Sequence, residues 1–86
     1  MMALTIRSAI LDSEQKWDET VKALLKAELK RRNVSYADLS SRLAILGVTE
    51  SEPNIRNKIA RGKFTAVFFF QCMEAIGVRT LRLKDD

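Results

Sequence analysis

Residues 53–73 carry Arg56, Lys58, Arg61 and Lys63 without a single acid, and Asn54 and Asn57 lie among them. These side chains have a definite chemical use. Arginine offers paired donors to guanine O6 and N7, and asparagine pairs in the same two-bond manner with adenine N6 and N7. Ile55 and Ile59 are four residues apart, so a helix that buries both leaves Asn54, Arg56, Asn57, Lys58 and Arg61 around its other sides. Lys63 follows Gly62, and Thr65 sits at the next helix start; both extend the same positive rim toward phosphates. Tyr36 and Arg42, further upstream, are additional candidates for contacts to a polyanion. The bland alternative is a solvated basic surface, which is what most charge runs are.

The charge distribution leans the same way. Residues 1–21 hold two basic and four acidic groups, whereas residues 22–47 hold six basic and two acidic ones. Enzymatic chemistry has little to work with. The chain has no His, so imidazole bases, His-based metal sites and Ser-His or Cys-His pairs are excluded. A lone cysteine, Cys72, rules out an internal disulfide and four-thiolate zinc sites, and it falls on an apolar helix stripe that suits the core. No glycine-rich phosphate loop occurs. No catalytic residue, metal or small-molecule cofactor is therefore expected. The chain also lacks a signal-peptide pattern and any apolar stretch of membrane-spanning length, so a cytoplasmic location without membrane contact is expected.

The elements that must position these groups read as an all-α, four-helix arrangement of one domain. The expected division is an N-terminal arm at 1–12, a helical domain at 13–78 and a tail at 79–86. Trp17, Val21, Leu24, Leu25 and Leu29 recur as an apolar stripe and predict a first helix over about 14–32, closed by Asn33. Ser35 and Asp38 form a capping box for a second helix at about 36–46, stopped by Gly47. Thr49 and Glu52 suggest a second box, with Pro53 in the first turn of a helix at about 50–61 that ends at Gly62. Thr65 caps a fourth helix at about 66–76, with Phe64 stapled toward Phe69 and Phe68, Cys72, Met73 and Ile76 inward. Phe69 and Phe70 cannot both share the stripe of Phe68; at least one meets a neighbouring element or a second subunit. Residues 79–84 alternate weakly, as a short strand or an extended tail.

A second helix, a turn and a basic third helix make a helix-turn-helix candidate, and the sequence carries a resemblance to match. The run Ala60-Arg61-Gly62-Lys63-Phe64, followed by a helix ending Glu74-Ala75-Ile76-Gly77-Val78, resembles the phage-repressor-type (lambda-repressor-like) helix-turn-helix superfamily. Lys58-Ile59-Ala60-Arg61-Gly62-Lys63-Phe64-Thr65, with Phe68-Phe69-Phe70-Gln71-Cys72-Met73-Glu74-Ala75-Ile76-Gly77, is similar to a bacterial family of small uncharacterised domains within it. The resemblance spans about residues 17–83 and implies a DNA-binding fold of the bacterial cytoplasm. From Leu39 to Gly62 the chain is several residues longer than the usual repressor spacing, so the turn is enlarged or the second helix extended. The expected function is sequence-specific binding of double-stranded DNA by a nucleoid-associated transcriptional regulator, its third helix in the major groove. A homodimer is expected, because one such unit grips few base pairs. The alternative is a protein- or RNA-binding adaptor, such as an antitoxin-like partner.

Overall fold

The computed structural model describes the backbone of residues 2–83 and the side chains of residues 16–83. Its four helices are α1 (Met2–Arg31), α2 (Tyr36–Ile45), α3 (Glu52–Arg61) and α4 (Ala66–Ala75). The fold is all-α. Among the described residues no strand forms; residues 79–83 are irregular, with Leu81 packed on the core, and Lys84 lies outside the described residues. An isolated alternating stretch without a partner strand has no ladder to join.

The first helix departs from expectation. It begins at Met2 and not near Ser13, so the stretch expected as an arm, Met1 lying outside the described residues, is helical. No Gly or Pro occurs before Gly47, so nothing upstream of Ser13 breaks the helix. Thirty residues make a rod of about 45 Å, which accounts for most of the 52 Å long dimension of the molecule. The rod ends at Asn33, whose φ of 56° is the left-handed turn, and Val34 N–H donates to Leu29 O at 2.9 Å to close it.

The core lies where α3 meets α1 and α2, and where α2 meets α4. Leu25, Leu39, Leu43, Ile55, Ile59 and Cys72 are fully buried there. The contact stripe of α1 keeps Leu25 and Leu29 of the stripe expected, but its upper end turns from Trp17 and Val21 to Asp18 and Lys22. Asp18, Lys22, Leu25 and Leu29 face the domain, and Gly62 packs on Asp18 and Lys22. Trp17 belongs to the neighbouring row and is 67% exposed, with Val21 and Leu24 half-buried beside it. Trp17 is thus a surface residue, contrary to the core position its spacing suggested.

Local signals set the other boundaries. Ser35 accepts from Asp38 N–H at 3.1 Å while the Asp38 carboxylate accepts from Ser35 N–H at 3.3 Å, a complete capping box. The cap of α3 is Ser51, which accepts from Asn54 N–H at 3.3 Å, and not the expected Thr49. Glu50 is engaged instead: its carbonyl accepts from Ser40 Oγ at 2.6 Å and its carboxylate pairs with Lys58. These contacts hold residues 46–51 as the connection between α2, which ends at Ile45, and α3. Thr65 caps α4 by accepting from Phe68 N–H at 3.1 Å, and Phe64 stacks on Phe69 with centroids 6.2 Å apart.

Candidate nucleic-acid interface

Helix α3 is held from beneath and at both ends. Ile55 and Ile59 anchor it, Ser51 satisfies its first turn, and Gly62 stops it in the left-handed conformation with φ 65°. A Cβ at Gly62 would stand 2.7 Å from the Asp18 carbonyl oxygen, so glycine is what lets the end of α3 touch α1.

The sides of α3 separate into three rows. The row opposite Ile55 and Ile59 presents Pro53, Asn57, Ala60 and Arg61 to solvent. Asn57 and Arg61 are four residues apart and exposed, and neither side chain has a hydrogen-bonding or ionic partner among the described residues. Such a pair can address neighbouring base edges.

On one flank, Arg56 pairs with Glu52 at 2.8 Å and lies over the Tyr36 ring, 5.8 Å from its centroid. Arg56 is therefore beside the reading row and not at its centre. It borders an open groove of about 480 Å³ between α1 and the start of α2, floored by Leu29 and Val34 and flanked by Lys26 and Lys30. Lys26 and Lys30 are exposed and have no partner among the described residues. The structure thus joins Arg56 and Tyr36 to two α1 lysines that sequence reasoning counted in the basic run but did not place at the site. Their four-residue spacing on the side of α1 facing Val34 was the available signal.

On the other flank, Asn54 is exposed, but Lys58 is committed inward. Its ammonium pairs with Glu50 and sits 4.7 Å from the centroid of the Phe68 ring. This arrangement covers Cys72, whose thiol burial pushes from 9.0 up to about 12, with Glu50 adding to the rise and Lys58 opposing it. Cys72 is a core residue, as expected.

The remaining candidates scatter. Lys63 pairs with Asp18 at 2.9 Å and ties the α3–α4 connection to α1. The Thr65 hydroxyl is occupied as a cap. Arg42 is exposed, but it follows Tyr36 by six residues, about 240° around α2, while Tyr36 and Ser40 form the side that meets α3 and its preceding turn. Arg42 therefore does not join the groove. Asn57, Arg61, Arg56, Tyr36, Lys26 and Lys30 form one continuous surface; Lys58, Lys63 and Thr65 support the fold behind it.

No helix among the described residues is long and apolar enough to cross a membrane. Neither a curated protein nor a solved structure matches the chain significantly. Residues 17–81, which run from the middle of α1 through α4 to the packed Leu81, match the model of a domain of unknown function (DUF6471), and the chain belongs to that family.

Proposed function

We propose that the protein is a sequence-specific DNA-binding regulator of the phage-repressor helix-turn-helix type, with α3 entering the major groove. One observation carries this reading: the outward row of α3 holds Asn57 and Arg61 with no partner among the described residues, beside a groove flanked by the Lys26, Lys30 and Arg56 cations. Donors for base edges and cations for the adjacent strand then lie on one surface. A protein working this way acts on the nucleoid, as a two-fold homodimer that spaces two α3 helices about one turn of DNA apart. It needs no cofactor and performs no catalysis.

Fluorescence anisotropy with duplex DNA at several salt concentrations tests the reading. About three to four phosphates neutralised per subunit give a log–log slope of roughly −5 to −7 for a dimer. No binding at low salt rejects it and favours the adaptor reading, for which the exposed apolar side chains of α4 provide the specific support.

A further inference from the structure

We propose that the outward stripe of α4 is a self-association surface, on which two copies pack α4 against α4 in opposite directions. Val67, Phe70, Gln71 and Glu74 follow the spacing i, i+3, i+4, i+7 and therefore share one side of the helix. Val67 is 65% and Phe70 70% exposed. With Leu46 and Val48 from the turn after α2, they line a shallow depression of about 570 Å³. Phe70 meets the edge of Phe69 at 6.0 Å and leaves most of its ring in water. Phe68 fills the core and Phe69 stacks on Phe64, so Phe70 is the member of the run left without a site inside the domain.

Charge identifies the occupant. The chain carries a net +4, yet this stripe holds no lysine or arginine, and its one charge is Glu74. A polyanion has nothing to hold there. A second copy can approach by this side without bringing the two basic surfaces together. The ends of α4 make the same point. Its first turn has no acid, so the positive end of its dipole meets no carboxylate of its own helix, while its C-terminal end is held by Arg32 Nε, which donates to Ile76 O at 3.1 Å. Antiparallel packing supplies the missing carboxylate, because it brings Glu74 toward the partner's α4 N-terminus. The contact is isologous and closes as a dimer.

The area sets the strength. The exposed parts of Leu46, Val67 and Phe70 amount to roughly 350 Å² of apolar surface, the size at which a monomer's largest patch is often functional. Two such patches with their rims bury about 1,000 Å², the lower bound for a specific interface. An interface of that size belongs to the weak, reversible class. It requires no DNA, so its failure and that of the DNA-binding reading are separable.

Sedimentation velocity of the full chain, without DNA, from micromolar to submillimolar concentration provides the test. The wild type shifts from monomer to dimer over that range. Phe70→Glu remains monomeric at the top of it, with an unchanged helical circular dichroism spectrum because the side chain is exposed. Glu74→Lys weakens the dimer at least about tenfold, since each cation meets the positive end of the partner helix. A wild type that is monomeric throughout overturns the proposal, and so does a Phe70→Glu variant that dimerises like the wild type.

Discussion

Gly62 and Cys72 show how single residues are constrained by neighbours far away in sequence. At Gly62 two penalties coincide: a left-handed φ of 65° and the Asp18 carbonyl 2.7 Å from any added Cβ. Gly47 has the first without the second, with φ 83° and open space around it. Gly47→Ala should therefore cost about 1 kcal/mol, the left-handed strain alone. Gly62→Ala should cost about 2–4 kcal/mol, because α3 must also back away from α1. Urea melts of the two variants make the comparison, and equal losses would mean that the α3–α1 approach is loose. Cys72 carries a pH signature. Its thiol is raised in the folded state, so the stability it contributes is complete below about pH 9 and falls as pH rises from there toward 12. Between pH 8 and pH 10.5 the wild type should lose about 2 kcal/mol relative to Cys72→Ala. Denaturant titrations of both proteins at the two pH values check this; a constant difference would show that the thiol ionises as readily in the folded state as in the unfolded one.

The helices illustrate which structural facts are local. The Ser35–Asp38 box, the Thr65 cap and the glycine stops lie within a few residues of what they control, and the sequence displays them directly. The α3 cap was harder, because Thr49 and Ser51 are both competent. Ser51 is used because Glu50 is drawn to Ser40 and Lys58, partners separated from it by a turn or a helix. The same distance hid the fates of Lys58 and Lys63, whose acids, Glu50 and Asp18, lie on other elements. Ile55 and Ile59 revealed the outward row of α3; the spacing of Lys26 and Lys30 put them on one side of α1, but their meeting with Arg56 depends on how α3 packs on α1. Another nonlocal tie closes the bundle. Glu28 is buried and accepts from Arg32 at 2.7 Å and Arg31 at 3.1 Å, while Arg32 Nε donates to Ile76 O at 3.1 Å. That bond fastens the end of α1 to the end of α4. Arg32→Ala should cost about 1.5–3 kcal/mol and speed exchange of the Val78 amide, which donates to Met73 O in the turn after α4. Faster exchange confined to α1, with Val78 unchanged, would show that the tie does not hold α4.

At the scale of the whole molecule, two surfaces divide the work. The α3 row with its lysine groove is polar and basic, and the α4 stripe is apolar with a single carboxylate. If the first binds DNA and the second pairs two copies, substitutions on each have different effects on the salt dependence. Lys26→Ala with Lys30→Ala removes two cations per subunit and should reduce the slope by about two units per subunit, equally for all sequences. Asn57→Ala or Arg61→Ala should instead remove about 1–3 kcal/mol of discrimination at one or two base positions, and Arg61→Ala should change the slope by at most about one unit per subunit. Phe70→Glu touches neither group. It separates the subunits, so the slope should fall by half, to roughly −3, and the preferred site should shrink from two half-sites to one. Selection from randomised duplexes, followed by salt titration of each variant on its best site, measures all three. A Phe70→Glu protein that keeps the full slope and a two-fold site must dimerise elsewhere.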